Sequence, residues 1–202
     1  MRDLQYWWYR GSWALAYKDC TAGIPVGSLF PSRHQKEARI PKVVAALRRV
    51  AEGDPHRFRR IQRQVSCIQL MGTRLVALGS WYDPLSMILL SDDWLESDST
   101  SAEQVALTIV HEATHARLSR FGYAPEIRAR IERICQYQEL VFASRIGGDS
   151  ELVASARRGM DLDPSEFTAE RYRQRNLEAL IQLGLPHWMV RLLARVTKLL
   201  AA

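Results

Sequence analysis

His111 and His115 stand four residues apart, with Glu112 beside the first, in the run His111-Glu112-Ala113-Thr114-His115. That spacing restricts the local fold. On an α-helix, residues i and i+4 lie one above the other on a single face, about 6 Å apart. On a strand the same two residues are about 13 Å apart. Only the helix lets both imidazoles reach one Zn²⁺, with the intervening Glu close enough to act on a water at the metal. About one random chain of this length in a hundred carries such a run by chance, so the surrounding residues must carry the argument.

They describe a well-bounded helix. Ser101 and Gln104 have the spacing of a capping box. Apolar positions continue through Val105, Leu107, Ile109, Val110, Ala113 and Leu118, and Gly122 is placed to end the helix in a left-handed conformation. Pro125 then opens a second helix, predicted to run to about Ile146 and to stop at Gly147-Gly148. Ala113 and Thr114 are uncharged, and Thr108-Ile109-Val110 suits a buried helix. Two imidazoles and a carboxylate buried on one face without partners would be costly, whereas a cation satisfies all three.

The extended stretch 108–118, Thr-Ile-Val-His-Glu-Ala-Thr-His-Ala-Arg-Leu, resembles the active-site helix of the zincin metallopeptidases. With the helix that follows, the resemblance covers about 40 of the 202 residues. Arg117 departs from it, standing where the zincin pattern has a hydrophobic residue. The metzincin branch would require Gly at 118 and His or Asp at 121; Leu118 and Phe121 exclude it. The gluzincin-like branch, in which a Glu on a second, antiparallel helix completes the ligand set, stays open. Candidates on residues 125–146 are Glu126, Glu132 and Glu139. Reflecting His111 and His115 through a turn centred near Tyr123 gives positions 135 and 131. Glu132 is the nearest carboxylate and is favoured over Glu139, whose role is then to hold a His N–H. Glu139-Leu-Val-Phe-Ala143 loosely fits the compact zincins of bacterial regulators and keeps Glu139 as the alternative ligand. Cys135 shares their face; as a small buried residue it is the weaker ligand candidate.

The expected chemistry follows. His111, His115 and Glu132 hold Zn²⁺, and the fourth position takes a water whose pKa falls from about 15.7 toward about 7. Glu112 is the general base. In the resembling families a Tyr or His often adds a donor to the oxyanion, and Tyr123, Tyr172 and His187 are candidates for that part. Substrate is commonly bound as an added strand on a sheet edge, for which residues 86–91 are the natural candidate.

The remaining chain reads as support. Tyr6, Trp7, Trp8, Tyr9, Trp13 and Tyr17 crowd the first segment; rings docked on the core are favoured over an interfacial membrane contact. Pro41 is read as the start of a helix with Val43, Val44, Leu47 and Val50 on one side, ending at Gly53; a short helix follows from Pro55 to about Gln64. Residues 65–70 and 73–78 read as two strands of a hairpin turning at Met71-Gly72, and 86–91 as a third. Asp163-Pro164-Ser165-Glu166 caps a helix closed by Gly184 and Pro186, and 187–200 form a basic amphipathic segment. The expectation is an α+β zincin-like domain with a small β-sheet, an active-site helix and an antiparallel ligand helix, with helical flanks. Its parts are an aromatic-rich segment (1–40), the metal-binding domain (41–160) and a C-terminal helical extension (161–202) packed on it.

Composition narrows the function. Arginines spread along the chain make the net charge +6 a diffuse bias, and no nucleic-acid motif accompanies it. Three scattered cysteines, Cys20, Cys67 and Cys135, give neither a CxxC pair nor a disulfide framework. With no signal-like h-region and no apolar run of spanning length, the expected location is cytoplasmic, with peripheral membrane contact as an open possibility. The expected activity is zinc-dependent hydrolysis of a peptide or protein substrate. The alternative is a zincin-like regulatory or interaction module that binds metal without proteolysis, at a membrane surface in one version.

Overall fold

Five short strands form one mixed sheet in the order β1-β2-β3-β5-β4. They are β1 (Tyr17–Asp19), β2 (Val26–Ser28), β3 (Cys67–Met71), β4 (Gly79–Tyr82) and β5 (Met87–Ser91). The computed structural model describes residues 2–20, 22–28, 33–71, 78–122, 125–147, 150–168, 170, 171, 174, 177, 181, 186 and 188–190. The helices among them are α1 (Arg2–Leu15), α2 (Arg33–Gly53), α3 (Pro55–Gln64), α4 (Asp92–Glu96), α5 (Ala102–Leu118), α6 (Arg128–Arg145) and α7 (Ser150–Met160). The protein is thus α+β, with helices around a small mixed sheet.

Continuous apolar strands belong where both faces of a sheet are covered, and the middle of this sheet fits that rule. β2, β3 and β5 run parallel, with Ile68 opposite Ile88 and Leu70 opposite Leu90. These four side chains enter the main core beside Val43, Leu47, Val105 and Ile109. The alternate residues, Cys67, Met87 and Leu89, face the other way and are covered by Tyr9 and Trp13 of α1 and by Tyr82. Gln69, buried on the same strand, donates to Ser12 Oγ at 2.8 Å and ties α1 to the sheet. The aromatic segment is therefore a helix. Two of its rings pack inward, while Trp7 and Trp8 remain about two-thirds exposed.

Several elements differ from the sequence reading. α2 begins at Arg33, eight residues before Pro41, which lies inside it. The turn preceding the proline is anchored from outside the helix: Ile40 is buried, and Arg39 pairs with Asp92 at 3.2 Å and Glu96 at 2.6 Å. Tertiary contacts thus offset the hydrogen bond that an internal proline removes. The hairpin at Met71-Gly72 does not form as expected, because β3 already has a parallel neighbour on each side, β2 and β5. Most of the expected second strand, residues 73–77, lies outside the described residues. The hairpin instead joins β4 to β5 across the 3₁₀ turn Asp83–Leu85, with Ser86 at φ +48°. The strand expected over 86–91 is β5, Met87–Ser91, which is consequently interior, between β3 and β4, with all five residues buried. Among the described residues, β4 has a single neighbour on that side of the sheet. In the C-terminal quarter, Asp163 caps the 3₁₀ turn Pro164–Phe167. Most of the expected helix to Gly184 and all of 191–200 lie outside the described residues. No helix among the described residues is long and apolar enough to cross a membrane.

α5 is the central helix. Its start is the capping box: Ser101 Oγ accepts from Gln104 N, and the Gln104 side chain accepts from Ser101 N. It packs against α2, α3, α6, β4 and β5. The chain leaves it through the 3₁₀ turn Ser119–Phe121 and Gly122, whose φ of +79° is open to glycine at little cost. A short link and a second 3₁₀ turn, Pro125–Ile127, lead into α6.

An ionic hub built on the buried Asp54 holds α6 in place. Asp54 caps α3 by accepting from Arg57 N at 3.0 Å, and it pairs with the Arg57 side chain and with Arg145 at the end of α6. The Arg57 guanidinium continues to the side-chain oxygen of Gln138 at 3.1 Å and lies over the Phe142 ring at 5.7 Å. Burial alone would raise the Asp54 carboxyl, but its hydrogen bonds with Arg57 and the charges of Arg145 and Arg57 hold it below the ordinary value of 3.8. A depressed carboxylate stabilises the fold above its unfolded pKa, and that contribution is lost as pH falls through the folded value. Arg57→Ala is therefore expected to lower the unfolding free energy by about 1.5–3 kcal/mol at neutral pH. The gap from wild type should close in urea titrations carried below the ordinary aspartate range. A gap independent of pH would contradict this role for the pair.

Candidate metal centre

The metal-ligand candidates meet along the seam between α5 and α6. Both helices pack there in the antiparallel sense, so that His111 meets Glu139 and His115 meets Glu132. His111 and His115 project from one face of α5, and their ring centroids are 4.9 Å apart. Glu132, Cys135 and Glu139 come from the facing side of α6, at positions i, i+3 and i+7.

Three atoms converge. His111 Nε2 lies 3.1 Å from His115 Nε2, and Glu132 Oε2 lies 3.3 Å from the first and 3.4 Å from the second. A tetrahedral ion with ligand bonds of about 2.0–2.1 Å sets its ligand atoms about 3.3–3.4 Å apart. The three atoms thus form a nearly equilateral face of the size that zinc requires. The donor set, two imidazole nitrogens and a carboxylate oxygen, is also suited to that ion.

Glu139 takes a different position. Its Oε1 lies 2.6 Å from His111 Nδ1, the nitrogen turned away from the triangle. Without a cation both nitrogens can carry protons, Nδ1 toward Glu139 and Nε2 toward Glu132. A cation displacing the Nε2 proton would leave Nδ1–H on Glu139, the tautomer that can ligate. Cys135 is fully buried, and its Sγ lies within 4.8 Å of the imidazole nitrogens. Glu132 Oε2 stands from both Nε2 atoms at the separation of two ligands on one tetrahedral ion, which makes it the third-ligand candidate.

The electrostatics are those of mutually compensating groups. Burial alone would lower the His111 pKa, but hydrogen bonds to Glu132 and Glu139, with the charge of Glu112, raise it well above the ordinary histidine value. Glu132 is buried too, yet its contacts with both imidazoles hold it far below the carboxylate range. Burial pushes Glu112 upward despite the nearby imidazoles. Burial and the charges of Glu132, Glu112 and Glu139 push the Cys135 thiol far up, so without a cation it is a neutral thiol.

Glu112 itself is buried beneath the edge strand. A Cβ placed on Gly79, the first residue of β4, would lie 2.7 Å from the Thr108 methyl carbon and 3.3 Å from Glu112 Cγ. This close approach was not legible in the sequence; its only trace is a glycine at the head of a short aromatic strand. Glu126 is exposed at the start of the α6 region, and no contact with the triangle involves it. Tyr123, Tyr172 and His187, the candidate oxyanion donors, lie outside the described residues.

A cavity of about 970 Å³ opens elsewhere, between the end of α2, the start of α5 and α7. Two of its arginines are already paired, Arg49 with Glu103 and Arg145 with Asp54. None of the residues of the seam lines it. No protein-family model, curated protein or solved structure matches this chain.

Because Gly79 is the contact that seats Glu112, Gly79→Val is expected to cost about 1–3 kcal/mol through overpacking against Thr108 and Glu112. In a chain of this size each kcal/mol should appear as about 2–4 °C in the melting temperature. An unchanged melting temperature would mean that β4 does not press on α5 at this point.

Proposed function

We propose that this chain is a zinc-dependent hydrolase of peptide bonds, with His111, His115 and Glu132 holding Zn²⁺ and Glu112 acting as general base. The observation that carries this reading is the triangle of Nε2, Nε2 and Oε2 atoms with edges of 3.1, 3.3 and 3.4 Å. It is supported by the resemblance of residues 108–118 to the zincin active-site helix and by the hydrogen bond between His111 Nδ1 and Glu139. When bound, the ion supplies Lewis acidity, activating a water and polarising the substrate carbonyl.

The protein's own part is proton transfer and positioning. Glu112 accepts the proton of the attacking water as the oxygen bonds to the carbonyl carbon. It then delivers that proton to the amine nitrogen as the C–N bond breaks. Its burial favours the first of these transfers, because a carboxylate with a raised pKa takes a proton from water more readily. Glu139 keeps His111 oriented throughout. An extended peptide would pair with β4, the strand that lies over Glu112, in place of the interior segment 86–91. The substrate class proposed is a peptide or protein.

Elemental analysis and a peptide-library assay test the proposal together. Wild type is expected to carry about one zinc per chain, and His111→Ala to carry none. Glu139→Ala should bind zinc about 10–100-fold more weakly. Glu112→Gln should keep the metal while hydrolysis falls by about 10²–10⁴. Hydrolysis that survives Glu112→Gln would contradict the base assignment. Function that survives Glu112→Gln but not His111→Ala would favour the non-proteolytic, metal-binding module.

A further inference from the structure

Cys135 has the burial of a core residue and the position of a ligand. It is fully buried on α6, one turn beyond Glu132 and one turn before Glu139. Its Sγ lies within 4.8 Å of the His111 and His115 ring nitrogens. Among the described residues the thiol makes no hydrogen bond, although two imidazoles lie within 4.8 Å and the charges of Glu132, Glu112, Glu139 and Arg117 act on it. Cys67 offers the contrast. It too is buried, but among Met87, Leu89 and aromatic rings, where a thiol serves as a small apolar side chain. An apolar residue would fill the Cys135 position equally well if packing were its whole role.

We propose that Cys135 is a fourth protein ligand, whose sulfur competes with water for the one coordination position that hydrolysis needs. The inference rests on the metal reading above and deepens it by naming how that site is regulated. A zinc–sulfur bond of about 2.3 Å beside zinc–nitrogen bonds of about 2.0–2.1 Å sets sulfur and nitrogen about 3.6 Å apart in a tetrahedron. With the sulfur within 4.8 Å of the ring nitrogens, the shift needed to reach that separation is at most little more than an ångström. Four protein ligands make a closed centre of the structural kind, whereas three leave an open centre of the catalytic kind. With Cys135 bound the site is latent; with Cys135 withdrawn it is open to substrate. Coordination releases the thiol proton to solvent and involves no change of oxidation state.

Cobalt substitution of the full-length protein tests this without reference to activity. Tetrahedral Co²⁺ gives intense visible d–d bands, and a cobalt–thiolate bond adds a charge-transfer band in the near ultraviolet. A Cys20→Ser background removes the exposed thiol. The expected result is both signals in that background. Cys135→Ser and Cys135→Ala should lose the charge-transfer band, keep the visible bands, and bind zinc at least about tenfold more weakly against a chromophoric chelator. The alanine variant serves where serine in a buried site impairs folding. Visible bands without a charge-transfer band would overturn the thiolate assignment and leave the three-ligand centre standing. No tetrahedral cobalt spectrum in any variant would overturn the metal reading itself, and this proposal with it.

Discussion

Two imidazoles and two carboxylates lie together between α5 and α6, with a third carboxylate, Glu112, on the same helix under β4, and their mutual compensation is the constraint on which the seam depends. Such groups are tolerated away from water only when they compensate one another or share a cation. The pairings are specific. Glu139 holds the outer nitrogen of His111, Glu132 faces the inner nitrogens of both histidines, and Glu112 stands apart beneath β4. In the proposed function one carboxylate orients, one ligates, and one moves a proton. Their different surroundings push Glu132 and Glu112 in opposite directions, which is how residues of one type come to serve separate roles.

This division depends on the register of two helices, and the fold fixes that register from both sides. α5 is held by its capping box and by burial against α2 and the sheet. α6 is held by the hub of Asp54, Arg57 and Arg145, with Phe142 beneath the Arg57 guanidinium. The hub and the metal seam use different faces of α6. A displacement of the helix by one residue would rotate Glu132 and Glu139 by about 100° away from the histidines. Rigid support of this kind suits a centre whose ligand atoms must agree to a few tenths of an ångström.

The residues of the seam were legible in the sequence because helical spacing is a local rule. His111 and His115 follow from i, i+4 periodicity, and the span of α5 from Ser101 and Gln104. The Glu132 position follows from reflecting one helix onto the other through a short link, whereas the same reflection puts Glu139 one or two turns too far, and the offset of the helices that brings it to His111 is not legible locally. The sheet was less legible, since pairing is not local. Residues 65–70 and 86–91 have the composition of strands, but nothing in either shows that they lie side by side in parallel. The start of α2 was obscured by Pro41, whose usual role as a helix opener is overridden by Ile40 and Arg39 packing ahead of it. The α1 helix was hidden by its aromatic content and by Gly11, while its inward rings, Tyr9 and Trp13, have partners distant in sequence.

The triangle of His111, His115 and Glu132 is the centre of the account, and it makes a direct spatial claim. The measurement that tests it most directly is a crystal structure of zinc-loaded protein with anomalous diffraction recorded at the zinc edge. The account predicts one strong anomalous peak on the α5–α6 seam, about 2.0–2.2 Å from His111 Nε2, His115 Nε2 and a Glu132 oxygen, with Glu139 still on His111 Nδ1. A peak bound by Glu139 in place of Glu132, or no peak on the seam, would contradict it.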